Sequence, residues 1–356
     1  MSKKIMARRL LLFAVEFVAI CSLALGQIAW QPLTPFPAPG REIIAVAAGS
    51  KIYAFAGMGN LYTPLGLVYE FDPATKAWSK KKAMPLPAHQ IATAEYNGKI
   101  YVFGGFKKPA SGEIAWEAIN NAWEYDPALD VWKALKPMPS MRGSASAAAV
   151  NGKIYVMGGA GVHPGMKNVP LIAGPGGTPN RSLDTVEEYD VASDSWRAPT
   201  MMPTPRNHFA LGAVNGKLYA LGGRMSSAFG EFGSDTQVVE EYNPATNMWG
   251  AEKAKMSTPR DSMAWGVYNG RICVVGGKMT DARVSAEFRA AEAYEPTTDQ
   301  WTVLPAVPIG RAPTTGAFIG DIFYLLSVYD GYRRSSGERR ESEGSPFDEL
   351  RLRLWQ

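Results

Sequence analysis

The sequence predicts an all-β fold, a six-bladed β-propeller of four-stranded antiparallel blades, the last blade closed by the N-terminal strand. Three observations predict it. First, the phrase AVNGKIYVMGGA from Ala149 returns sixty-four residues later as AVNGKLYALGGR from Ala213. EYNGKIYVFGGF from Glu95, VYNGRICVVGGK from Val267, and the weaker AAGSKIYAFAGM from Ala47 and FIGDIFYLLSVY from Phe318 bring the copies to six. A period in the fifties of residues marks a repeat architecture. Second, five copies are followed by an aromatic, an acidic or Pro-bearing turn and a Trp: Trp78, Trp132, Trp196, Trp249 and Trp301. Third, the two chain ends complement each other.

Within a unit, each element has a local reason. A small-residue run such as SASAAAV, from Ser144, leads into Asn-Gly, a two-residue hairpin signal because both turn residues take positive φ. The next strand, KIYVMGG from Lys153, ends on glycines that permit close backbone approach. A polar loop follows, short in the fourth unit and running from Ala160 to Asp184 in the third; then come a strand such as VEEYD, a turn, and a strand opening on Trp. One such sheet cannot bury both faces, so units pack on neighbours, and a ring leaves only short edges.

After each Trp comes an apolar-Pro pair: Met84 and Pro85, Met138 and Pro139, Met202 and Pro203, Val307 and Pro308, whereas the fourth unit delays its proline to Pro259. The sixth unit lacks its final strand. WQPLTPFP from Trp30 puts Phe36 and Pro37 at the same offsets, so this segment supplies it. FDELRLRLW, with Leu350, Leu352 and Leu354 alternating, reads as the third strand of that blade. Residues 330–346, charged and poor in apolar side chains, read as a mobile loop of blade 6.

The Gly-Gly, Tyr-Asp-Pro and spaced Trp, recurring together in five units, resemble the Kelch repeat family from Trp30 onward. The resemblance implies the propeller fold and says little about activity, because unrelated functions share it. It also implies that loop-face positions supply ligand contacts, as in Kelch domains that bind peptides. Galactose oxidase, a copper enzyme with Kelch blades, offers no carry-over because no cysteine stands at a pocket position. In size and export signal the chain is similar to the bacterial sialic acid mutarotase N-acetylneuraminate epimerase, without a shared residue motif.

The chain has 356 residues, 46% hydrophobic and 20% charged, an ordinary globular composition. Residues 1–26 run from Lys3, Lys4, Arg8 and Arg9 through an apolar stretch to Ala-Leu-Gly, which describes a cleaved secretory signal peptide, with Glu16 as its one flaw. Residues 27–356 form a single domain, secreted or periplasmic, with no stable membrane insertion. Of 37 basic and 33 acidic residues, four and one lie in the signal, leaving 33 and 32. That balance excludes a nucleic-acid footprint. Cys21 falls in the signal and Cys273 replaces the strand tyrosines Tyr101, Tyr155 and Tyr219, so the mature chain forms no internal disulfide and Cys273 is a core thiol.

The second-to-third loops and the interblade links emerge at one end of the ring, the Asn-Gly and Asp-Pro turns at the other, and variable loops on a rigid ring are where binding resides. Arg142, Arg206, Arg260 and Arg311 share one link register, where Gly40 and Ala88 stand in blades 1 and 2. Recurrence in four blades favours a structural role for them, bonding strand-end carbonyls between blades. The residues that break the repeat are the candidates: His208, Arg224, Lys278, Glu42 and Gln90, with Arg311 as a further ligand contact. If the protein were an enzyme, a sugar isomerase or epimerase, Glu42, His89 and His208 would serve as proton donor and acceptor. His89, His163 and His208 all fall on this face, but without the short spacing of a metal site, so neither metal nor cofactor is expected. The reading is an exported binding module for a peptide, partner protein or glycan.

Overall fold

The computed structural model describes residues 30–38, 40–59, 63–110, 115–161, 171–172, 181–228, 234–280, 285–310, 312–328 and 350–355. The signal segment 1–26 and the loop 330–346 lie outside the described residues. The fold is an all-β propeller of antiparallel four-stranded blades.

Five blades each come from one contiguous stretch. Blade 1 contains Arg41–Ala48, Lys51–Met58, Pro64–Asp72 and Ala77–Lys80; blade 2 contains Ala92–Tyr96, Lys99–Phe103, Ala122–Asp126 and Val131–Leu135. Blade 3 contains Ser146–Val150, Lys153–Met157, Val186–Asp190 and Ser195–Arg197; blade 4 contains Ala210–Val214, Lys217–Leu221, Val239–Asn243 and Met248–Trp249. Blade 5 contains Ala264–Tyr268, Arg271–Val275, Ala291–Glu295 and Gln300–Leu304. A further sheet joins Thr314–Ile319, Ile322–Val328, Leu350–Trp355 and Trp30–Pro32, drawing strands from both ends of the described chain, with Trp30 opposite Trp355.

The Asn-Gly hairpins have the expected backbone: Asn151 at φ 51° and Gly152 at 77°, Asn215 at 50° and Gly216 at 75°. The Gly-Gly pairs face a different demand. The N–H of Gly159 donates to the carbonyl of Arg206 in the next link, and a Cβ on Gly158 would lie 2.4 Å from that oxygen. A side chain there would push the blades apart.

Blades are held together by a recurrent clamp. The indole N–H of Trp132 donates to Lys82 O at 3.0 Å, Trp196 to Lys136 O at 2.8 Å, Trp301 to Ala254 O at 2.8 Å and Trp78 to Thr34 O at 3.2 Å. Each acceptor lies four or five residues beyond the Trp one blade back. Trp30 keeps this register, donating to Pro305 O at 2.9 Å. Apolar packing fills the same seams; between blades 1 and 2, for example, Phe55, Ile100, Tyr125 and Trp132 form one cluster.

Cross-strand partners vary together. Tyr53 bonds Glu70 opposite it, as Tyr101 bonds Glu124 and Tyr219 bonds Glu241. In blade 5 both members change, and Cys273 faces Ala293. The thiol is buried, and burial pushes it up to about 12, which keeps it protonated and inert.

The second-to-third loops are more ordered than polar loops. Phe106–Lys107 pairs with Ala115–Ala118, Ala160–Gly161 with Arg181–Ser182, and Lys278–Thr280 with Ser285–Glu287. Leu171–Ile172 from blade 3 adds to the blade 2 ribbon. The short loop is in blade 1, between Met58 and Pro64, rather than in blade 4, whose connection spans residues 222–238. The sequence obscured this because Ala56 replaces the first glycine of the Gly-Gly phrase.

Candidate functional site

Two residues before four of the innermost strands, and at the second residue of a fifth, the backbone takes a left-handed residue. Glu42, Gln90, Ser144, His208 and Ser262 have φ of 55°, 51°, 55°, 51° and 53°. Ordinary side chains rarely occupy this region, so the fold imposes it. It turns each link inward and lets it bond sideways: Ser144 N–H donates to Gln90 O, His208 to Ser144 O, Ser262 to His208 O, and Thr314 to Ser262 O, at 2.8–3.1 Å. From Gln90 to Thr314 the links form a backbone girdle along the channel mouth.

Beneath this rim lies a cavity of about 460 Å³. Glu42, Gln90, Ser144, His208, Ser262, Arg224 and Lys278 line its rim end, and the innermost strands line the rest with Ile44, Val46, Leu211, Trp265, Val267, Phe318 and several alanines. Five sequence candidates therefore converge there. His89 does not line the cavity; Arg311 and His163 lie outside the described residues. Among the described residues no group of His, Cys, Asp and Glu could hold a metal ion.

His89 is fully buried behind Glu42, its Nδ1 2.6 Å from Glu42 Oε2, with its ring against Phe106 and Trp116. Burial alone would raise the Glu42 carboxyl. The His89 hydrogen bond and charge, with His208 and Gln90, instead bring it down to about 2, so it is a carboxylate throughout the neutral range. The Ser144 hydroxyl bonds Gln90 Oε1 at 2.5 Å, continuing the polar chain.

His208 is held by a residue sequence reasoning missed. The buried Asn207 amide donates to Ser182 Oγ at 2.7 Å and to Ser226 O at 2.8 Å, which fixes which end of the amide is nitrogen. Its oxygen then faces His208 Nδ1 at 2.5 Å, and an amide oxygen can only accept. Nδ1 therefore carries the proton, and Nε2 is an acceptor in a cavity-lining ring. Burial pushes the imidazole down to about 4, so it is neutral near pH 7.

Arg224 lies deeper than a ligand contact would. It is 4% exposed, and its Nε and Nη2 donate to Asp261 Oδ2 at 2.9 and 2.5 Å. Asp235 Oδ1 stands 3.6 Å from Arg224 Nε, and Thr280 N–H donates to Asp235 Oδ2 at 2.9 Å. Asp235 and Asp261 therefore both lie beside the Arg224 guanidinium, close enough to affect one another's ionisation. Burial and the Asp261 charge raise Asp235 to about 7. Asp261 is lowered: burial works against its ionisation, but Arg224, Lys278 and His208 outweigh it. Lys278, half-buried at the rim, has no ion-pair partner among the described residues.

Three of the recurring arginines, Arg142, Arg206 and Arg260, are structural, though each reaches into the blade that follows it rather than between blades. Arg206 Nη1 donates to Gly222 O at 2.9 Å and Val238 O at 3.0 Å, and Nη2 to Glu240 at 2.7 Å. Arg142 pairs with Glu187 and Arg260 with Glu292, all of them buried.

Asn207 and Asp261 occupy the register that holds Arg41, His89 and Gly143 in other blades, so their divergence was a readable signal. Asp235 had none, lying within a loop whose path no repeat defines.

Residues 27–170 match the family model described as the KLHDC2/KLHL20/DRC7 Kelch-repeats domain, and residues 205–249 match the Kelch motif. Kelch-like protein terF of Aspergillus terreus is 28% identical over 279 residues, covering 76% of this chain and 57% of that protein. Kelch-like protein 15 of Danio rerio is 26% identical, covering 65% and 38%; human Kelch-like protein 25 is 24% identical, covering 80% and 44%. The chain thus spans about half the length of these relatives. A solved structure titled "Structure of YjhT" superposes with a TM-score of 0.67 at 17% identity, covering 84% of this chain and 93% of that one, a likeness of fold.

Proposed function

Because this chain belongs to the Kelch repeat family, whose propellers generally serve as protein-binding modules, we propose that it is an exported binding module that holds a partner protein at the rim of its loop face. One observation carries this reading. The polar residues that break the repeat, Glu42, Gln90, His208 and Lys278, surround one cavity mouth, while the repeating Arg142, Arg206 and Arg260 are consumed inside the blades. A rigid ring that concentrates its irregular groups on one concave face is built for recognition.

Lys278 and His208 are the leading contacts. Arg224 acts from behind, its guanidinium already engaged by Asp261. Affinity capture with the mature protein, followed by mass spectrometry, tests the assignment. Lys278→Ala and His208→Ala should each lose the captured set, while Val303→Ser, on an outer strand, keeps it. A capture set unchanged in both rim variants would overturn the reading, as would a protein that captures nothing and instead equilibrates the anomers of a free sugar by NMR.

Two structural expectations accompany the proposal. Export is supported by the order of basic, apolar and small residues in 1–26, and N-terminal sequencing of protein recovered outside the cytoplasm checks it. Closure of the ring at six blades by the N-terminal strand is supported by the pairing of Trp30 with Trp355 and by the Trp30 indole keeping the interblade register at Pro305.

A further inference from the structure

The cavity beneath the rim is polar at one end and apolar below, and its polar end is charged in a specific way. Glu42, on blade 1, is a carboxylate whose position is fixed by His89. Lys278, on blade 5, contributes an ammonium. His208 stands within Coulombic range of both, and its Nε2 can only accept a hydrogen bond while the ring is neutral. Glu42, His208 and Lys278 therefore offer the mouth two acceptors for a cationic donor and one donor for an anionic or carbonyl oxygen. Below it, Ile44, Leu211, Trp265 and Phe318 offer an apolar floor. A volume of about 460 Å³ lies within the ~300–1,000 Å³ of pockets that enclose small ligands.

We propose that this cavity binds an α-ammonium group carrying an adjacent oxygen and an apolar side chain, the chemistry of the N-terminal residue of a peptide or of a free apolar amino acid. The ammonium bonds Glu42 and His208 Nε2, and Lys278 donates to the adjacent oxygen. The side chain enters the apolar floor against Trp265. This deepens the protein-binding reading and rests on it, the anchor being the partner's own first residue. The selectivity follows from the groups present. An anionic head alone gains Lys278 but leaves Glu42 and the lone-pair nitrogen without a donor, and a cation with no neighbouring oxygen leaves Lys278 opposed by like charge.

Isothermal titration and saturation-transfer NMR with four probes test the site: L-leucine, Leu-Gly-Gly, N-acetyl-leucine amide and hexanoate. L-Leucine or Leu-Gly-Gly should bind at least about tenfold more tightly than the other two, the loss of one charge-assisted hydrogen bond. Preference between the two binders separates the sources: tighter Leu-Gly-Gly indicates a peptide terminus, tighter L-leucine a free amino acid. Glu42→Gln should weaken both about tenfold. Lys278→Met should weaken L-leucine more than Leu-Gly-Gly, because only the former presents a carboxylate beside the ammonium. Trp265→Leu, which keeps an apolar floor if Trp265→Ala fails to fold, should shift preference toward larger side chains such as L-phenylalanine. N-Acetyl-leucine amide binding as tightly as L-leucine would overturn the proposal, as would no saturation transfer to any leucine probe. Partner capture that survives such a result leaves the protein-binding reading standing and removes only this site.

Discussion

Arg206 and Glu240 are both buried, and neither tolerates the loss of the other. Removing one partner of a buried, hydrogen-bonded ion pair leaves a charge without compensation, which costs about 3–5 kcal/mol. Arg206→Met should lower unfolding stability by that amount in urea denaturation. Blade 2 suggests the remedy, because it places Ala88 at the arginine position and buries Trp123 at the glutamate position. Arg206→Ala combined with Glu240→Trp should recover more than half of the loss. The same rule was half legible in the sequence: the arginines stood out by repetition, but their glutamates were hidden in phrases such as VEEYD, where two adjacent acids alternate between strand faces. Only the pairing of strands shows that Glu240 meets Arg206 while Glu241 meets Tyr219.

The connection in blade 4 between Leu221 and Val239 is joined to blade 5 through charge as well as packing. Asp235 accepts from Thr280 N–H and faces the Asp261 charge beside Arg224. In the folded protein Asp235 holds its proton to about 7, whereas in the unfolded chain it releases it near the ordinary carboxylate value. Between those limits the native state binds more protons, so stability falls as pH rises and is lowest once the pair is fully charged. Asp235→Asn, which keeps the shape and stays neutral, should flatten this decline and raise the melting temperature above pH 7. Thermal melts of both proteins from pH 5 to 9 check it, and parallel curves would refute the raised Asp235. Asp261, lowered in the fold, acts in the opposite sense at acid pH and is unaffected by that comparison. No sequence pattern announced this pair, since one acid lies in a loop of unknown path and the other in a link register that was read for its arginine.

Across the whole ring, the repeat makes the blades, the Asn-Gly turns and the Trp-bearing strands readable in the sequence. The site was less readable. Periodicity located Glu42, Gln90, His208, Arg224 and Lys278 on one face, but it could not separate Lys278, at the rim without an ion partner among the described residues, from Arg224, taken up by Asp261. Burial and pairing are properties of packing rather than of spacing. The closure reading makes a demand at this scale. Deleting residues 27–38 removes Trp30, the strand opposite Trp355 and the Thr34 carbonyl that Trp78 uses. The truncated chain should fail to fold solubly; unchanged thermal melting would defeat the closure.

The backbone girdle at the channel mouth has a consequence for how such a protein can change. Glu42, Gln90, Ser144, His208 and Ser262 hold their left-handed conformation, and from Gln90 round to Thr314 peptide groups alone complete the hydrogen-bonded arc. Acid, amide, hydroxyl and imidazole already occupy equivalent places in it. These positions are therefore exchangeable sockets: a descendant, or a library varied at these five sites, can acquire a new ligand while the peptide arc that frames it stays the same.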